Sequence, residues 1–69
     1  MERISVSSTN VDSVGYDEDS RTLEIEFKNG SIYQYFDVPK NVSDELLSAG
    51  SVGAYLSSHI KGIYRYSRA

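Results

Sequence analysis

The residues best suited to chemistry lie near the end of the chain, where basic side chains alternate with aromatic rings. The basic residues are His59, Lys61, Arg65 and Arg68, and Tyr64 and Tyr66 are interleaved with them. The four basic residues and Tyr64 are candidate ligand-binding residues. Mixed cations and rings can hold a phosphate backbone and stack on bases. The same composition also suits an ordinary solvated basic tail on an acidic protein of net charge −3.

Two further aromatic candidates, Tyr33 and Tyr35, lie in the middle of the chain. The sequence has six tyrosines, two phenylalanines and no tryptophan. Tyrosine buries a large ring but carries a hydroxyl that needs a partner or water. The bias therefore indicates either a thin, half-exposed core or a surface that stacks its rings on a ligand. We include both tyrosines with the basic cluster as candidate ligand-binding residues.

The sequence offers no arrangement typical of catalysis. There is no cysteine and only one histidine. Ser58 and His59 are adjacent, and adjacent residues on a helix point apart, so they do not form a nucleophile and base pair. His59 on the apolar side of a helix is more typical of a packed or capping side chain. We therefore expect no catalytic residues and no enzyme.

No metal or cofactor site is indicated either. Residues 17–19 are acidic, but their spacing does not fit a calcium-binding loop, and no glycine-rich phosphate-binding motif occurs. We expect neither a metal nor a cofactor.

A chain of 69 residues is long enough for one small domain, which we assign to residues 1–69. No apolar run approaches the roughly 20 residues of a membrane span, and residues 1–6 lack a signal-peptide pattern. We expect a cytoplasmic protein without a membrane partner.

The first half of the chain alternates polar and apolar residues, as strands do. Four segments follow this pattern, around Ile4, around Val14, at residues 23–27 and at residues 31–38. The second half has helical spacing. Asn41 is a plausible N-cap for a first helix and Ser51 for a second, which Gly62 ends. We predict an α+β fold: an antiparallel sheet of three to four strands from the N-terminal half, packed against two short C-terminal helices. Ile63, Tyr64 and Tyr66 are too few to assign to an element, and a short closing strand there is left open.

The hairpin at Asn29 and Gly30 permits two registers. A two-residue turn places Tyr33 and Tyr35 on the outer face of the sheet, whereas a three-residue loop with a bulge at Gly30 turns both inward. The bulged form is slightly favoured because the core otherwise lacks bulk.

The ordered set of motifs resembles the KTSC domain family. The matching segments are Val6-Ser7-Ser8, Val14-Gly15-Tyr16-Asp17, Leu23 to Phe27, Asn29-Gly30, Tyr33 to Phe36, Val38-Pro39, Leu46-Leu47, Ala49, Ser51-Val52-Gly53, Tyr55, Ile60 and Tyr64. One departure is Leu56-Ser57, where the family pattern has an aromatic residue followed by asparagine. The family is named for its occurrence at the C-terminus of some lysyl-tRNA synthetases and also occurs as small bacterial and phage proteins.

The resemblance implies RNA binding as a suggested role and supplies no catalytic residue. Our first hypothesis is a non-enzymatic module that binds RNA or a nucleotide through Tyr33, Tyr35 and the basic C-terminal end. The alternative is a protein-interaction module, a homodimer or larger homo-oligomer, that binds no nucleic acid. Tyrosine-rich surfaces suit such interfaces because they provide contact area at low entropic cost.

Overall fold

The structure is a computed structural model that describes all of residues 1–69. It is an α+β fold in which one antiparallel sheet packs against two helices. The elements in chain order are β1 (Arg3–Ser5), β2 (Val11–Asp17), β3 (Thr22–Phe27), β4 (Ile32–Tyr35), α1 (Lys40–Ser48), α2 (Val52–His59) and β5 (Tyr66–Arg68). The strands lie in the sheet in the order of the chain, so β1 and β5 form its two edges. Neither helix is long and apolar enough to cross a membrane.

The prediction of an α+β fold with an antiparallel sheet is confirmed, but two details were wrong. The sheet has five strands rather than three to four, and the helices lie between β4 and β5 rather than at the C-terminus. Strand β5 has only three residues, all exposed, so it lacks the alternation of buried and exposed positions that reveals a strand. Its pairing with β4 defines it as a strand.

The hairpin between β3 and β4 adopts the bulged register. Ile25 pairs with Tyr33 and Leu23 with Tyr35, and Phe27 donates its N–H to the Ser31 carbonyl at 2.8 Å. Gly30 has a φ of +92°, the conformation that such a loop requires and that glycine adopts without strain. Both tyrosines therefore share the face of the sheet that carries the core.

The core consists of ten buried apolar residues, eight from the sheet and the two helices and two, Val38 and Ile60, from the segments that follow β4 and α2. Val14, Leu23 and Ile25 point from the sheet toward Leu46 of α1 and Leu56 of α2, and all five are at most 1% exposed. The two short helices thus bury one apolar side each against the same face of the sheet.

The two helices begin in different ways. In helix α1 Pro39 occupies the N-cap position, where it forms no side-chain cap, and Asn41 lies inside the first turn. The prediction that Asn41 is the N-cap was therefore wrong. Helix α2 is capped as predicted, because the Ser51 side chain accepts a hydrogen bond from the Ala54 N–H.

The opposite face of the sheet carries an ion-pair network. Arg3 on β1 reaches Glu24 at 2.7 Å and Glu26 at 2.8 Å, although both acids lie on β3, two strands away. It can do so because Gly15 lies between them. A Cβ at Gly15 would stand 2.9 Å from the Arg3 side chain and 2.7 Å from the Glu2 carbonyl.

This network makes the stability of the fold sensitive to acid. A hydrogen bond from Gln34 holds the pKa of Glu24 below its ordinary value, and the charge and hydrogen bond of Arg3 lower it further. A lowered folded-state pKa contributes stability above the unfolded pKa, and that contribution is lost as the pH falls through the folded value. We expect Glu24→Gln to lower the thermal midpoint at pH 7. We also expect the midpoint of this variant to fall less than that of wild type when the pH is lowered from 5 to about 2.

The matched control is Glu45→Gln, on the exposed side of α1, where the acid forms no ion pair. Equal acid sensitivity in wild type and Glu24→Gln would contradict the assignment.

Candidate functional site

Four aromatic rings line an open groove of about 570 Å³ on the core side of the sheet. Phe27 comes from the end of β3, Tyr33 and Tyr35 from β4, and Tyr66 from β5. The pairing of neighbouring strands brings them together, because Tyr35 lies directly opposite Tyr66 and both point to the same face. We call this feature the aromatic groove. Its volume lies within the range of small-molecule sites.

The rings form one continuous wall. Tyr33 meets Phe27 edge to face at a centroid distance of 5.6 Å and meets Tyr66 at 5.7 Å with an angle of 36°. Tyr35 lies 5.8 Å from Tyr66. The four side chains differ in exposed fraction, and the extremes are Tyr35, at 3%, and Tyr66, at 61%. The inner rings are thus held by the core, while the outer ring offers its surface to solvent.

Two cations lie at the rim. The Lys61 ammonium is 5.4 Å from the centre of the Phe27 ring, and the Arg68 guanidinium is 6.0 Å from that of Tyr33. Arg68 also donates a hydrogen bond to the Ser31 hydroxyl at 3.1 Å. Both distances are within the range of cation–π attraction, which orients the cations beside the rings while leaving their charge exposed.

The tyrosine hydroxyls add polar groups to an otherwise apolar wall. Burial raises the pKa of the Tyr35 phenol, and the neighbouring Tyr33 and Tyr66 raise it further. The Tyr35 hydroxyl therefore stays protonated at pH 7 and can donate a hydrogen bond.

Of the seven predicted ligand-binding residues, four meet at the aromatic groove: Tyr33, Tyr35, Lys61 and Arg68. The other three lie elsewhere. His59 stacks on Tyr55 at a centroid distance of 4.5 Å, and Tyr64 packs half-buried against the core. Arg65 pairs with Asp37 at 2.9 Å and lies over the Phe36 ring. A binding role for any of the seven remains a prediction.

Sequence reasoning missed two of the four rings. Phe27 was predicted only as part of the strand at residues 23–27, whereas it is half-buried and continues the wall. Tyr66 lies between Arg65 and Arg68 but was not included among the candidate binding residues. The available signal was the spacing of Tyr66 and Arg68, which matches the i, i+2 spacing of Tyr33 and Tyr35.

Comparison with known proteins gives consistent relatives. Residues 7–66 match the KTSC domain family. A protein of Stutzerimonas stutzeri is 39% identical over 99% of this chain and 97% of its own length. The crystal structure of a KTSC domain protein from Yersinia pestis is 39% identical, with a TM-score of 0.93 over 99% of this chain and 96% of that one. A lysine–tRNA ligase of Nostoc is 45% identical over 77% of this chain. The matched segment makes up only 9% of the length of that ligase.

Proposed function

This chain belongs to the KTSC domain family, and from that premise we propose that it is a non-enzymatic binding module whose aromatic groove holds an unpaired base of RNA or a nucleotide. The observation that carries the proposal is the groove itself, four adjoining rings with two cations at the rim. An exposed ring stacks on a base of any sequence, and a nearby cation attracts the phosphate attached to it.

The charge distribution supports an anionic ligand in spite of the net charge of −3. No aspartate or glutamate lines the aromatic groove. Glu24 and Glu26 lie on the opposite face of the sheet, where Arg3 bridges them. A phosphate at the groove therefore meets Lys61 and Arg68 without an acid beside them.

The relatives favour RNA as the ligand class. The Nostoc relative is a lysine–tRNA ligase, and the segment that matches this chain is a small part of it. A small domain shared with a protein named for its action on tRNA is consistent with an RNA-binding role for this one.

Tyr66→Ala provides the sharpest test, because this ring is exposed and its loss should leave the fold intact. Stacking on one ring contributes roughly 1–3 kcal/mol per base, so we expect about 5- to 150-fold weaker binding of a labelled single-stranded RNA decamer at low salt. Fluorescence anisotropy gives the affinity. In wild type, added AMP should also shift the ring protons of Tyr33 and Tyr66 in NMR spectra.

The matched control is Ile63→Ala. Ile63 is 62% exposed, nearly the same as Tyr66, but it does not line the aromatic groove. Equal losses in both variants would contradict a stacking role for Tyr66, and absence of RNA binding by wild type would overturn the proposal.

Self-association is the second candidate function. Ile63 and Tyr66 lie beside Phe36 in a shallow apolar depression next to the edge strand β5. Exposed edge strands with apolar neighbours are suited to pairing with another chain. Light scattering on the same samples separates the two functions: a dimeric mass without RNA, together with no RNA binding, favours this candidate.

A further inference from the structure

The aromatic groove does not end at the rings but continues across the surface. It shares Phe27, Asn29 and Lys61 with a smaller depression of about 270 Å³. That depression in turn shares Thr9, Asn10 and Lys28 with a third cavity of about 620 Å³. Because neighbouring cavities have lining residues in common, the three adjoin one another along the surface, and we call this row of cavities the channel.

The far cavity differs in chemistry from the aromatic groove. The loop between β1 and β2 lines one side and the segment around Ser51 the other, with hydroxyl groups from Ser7, Thr9, Ser51 and Ser57. Only two of its eleven lining residues are hydrophobic. Such a surface offers hydrogen bonds to sugar and phosphate oxygens, whereas the aromatic groove offers surfaces for rings.

Four of the seven lysine and arginine side chains are not used in ion pairs. Arg3, Lys40 and Arg65 pair with acids. The remaining four lysines and arginines form no ion pair: Arg21, Lys28, Lys61 and Arg68. Lys28, Lys61 and Arg68 border the channel. No aspartate or glutamate lines any of its three cavities. On a protein of net charge −3, the channel therefore has three bordering cations without an ion pair and no acid among its lining residues.

We propose that this channel binds a single strand of RNA several nucleotides long, with one base in the aromatic groove and the following backbone passing between Lys61 and Lys28 into the hydroxyl-lined cavity. The inference rests on the proposed function and extends it from one base to a polymer. The longest dimension of the domain, 28 Å, limits the bound strand to about four nucleotides, the low end of site sizes for small single-strand binders.

The test uses Lys28, which the base-binding groove does not require. If Lys28, Lys61 and Arg68 each contact one phosphate, the slope of log affinity against log salt is about −2.1 for single-stranded RNA. This slope corresponds to about 18-fold weaker binding at 200 mM than at 50 mM salt, whereas two contacts give about 7-fold. We expect about 18-fold for wild type with an RNA octamer and about 7-fold for Lys28→Ala. Lys40→Ala, which removes the same charge from an ion pair outside the channel, should retain the wild-type value.

A length series separates this inference from the proposed function. Affinity should rise from AMP through RNA dimers to tetramers and then level off. If AMP and the octamer bind equally tightly, or if Lys28→Ala keeps the wild-type salt slope, the channel is overturned while Tyr66-dependent base binding stands. If neither AMP nor the octamer binds, both proposals fall together.

Discussion

Leu46→Ala should unfold a large share of the molecules at room temperature. Leu46 is fully buried on α1, where it belongs to the cluster that joins both helices to the sheet. Truncation of a buried leucine removes apolar contacts and leaves a cavity, at a cost of about 2–5 kcal/mol. A domain of this size has a free energy of unfolding of similar magnitude. Urea denaturation followed by circular dichroism measures the loss.

The adjacent residue provides the control. Leu47 is 37% exposed on the same helix, so Leu47→Ala removes the same atoms with the same change in helix propensity. We expect it to cost less than about 1 kcal/mol, as is usual for substitutions outside the core. Similar midpoints for both variants would mean that α1 does not present Leu46 to the sheet.

Tyr35→Ala should destabilise the domain by about 3–5 kcal/mol, the range for removal of a large buried aromatic side chain. Its ring is only 3% exposed and lies on the core face because the β3–β4 hairpin is bulged. In the register without the bulge, the same ring would lie on the outer face and its loss would cost little. Thermal unfolding therefore tests the register directly.

Two variants make this experiment decisive. Tyr35→Phe keeps the ring and should retain most of the stability, because what Tyr35 contributes is mainly buried area. Tyr66→Ala, on the strand opposite, removes a ring that is 61% exposed and should unfold near the wild-type temperature. A folded Tyr35→Ala protein with an unchanged midpoint would exclude the bulged register.

The sequence predicted the class of each half of the chain because hydrophobic periodicity is a local signal. Alternation at Leu23, Ile25 and Phe27 indicated a strand, and the spacing of Val42 and Leu46 indicated a helix. The register at Gly30 could not be decided locally, because the turn residues tolerate both loops. The register depends on which face of the sheet has space for large side chains, and the Tyr35 ring fills part of the core face.

The candidate site was only partly predictable for the same reason. Tyr33, Tyr35, Lys61 and Arg68 were recognised by residue type, but the groove that unites them depends on β5 pairing with β4, a contact distant in sequence. The role of Arg65 could not be separated from that of Arg68, since their neighbours differ only in the folded chain. Asp37 pairs with Arg65, and Arg68 is left for the groove.

The strand order of the sheet also governs the sequence of events by which the chain assembles it. Strands β1 to β4 pair across short turns, whereas β5 reaches β4 only after both helices. Closing such a long loop costs more chain entropy than closing the short turns, so we expect β5 to pair after the other strands. None of the ten core residues lies on β5, whereas Tyr66 and Arg68 do, so pairing of β5 completes the groove rather than the core. A ligand that contacts all four rings therefore binds only the molecule with β5 paired, and its binding stabilises that state.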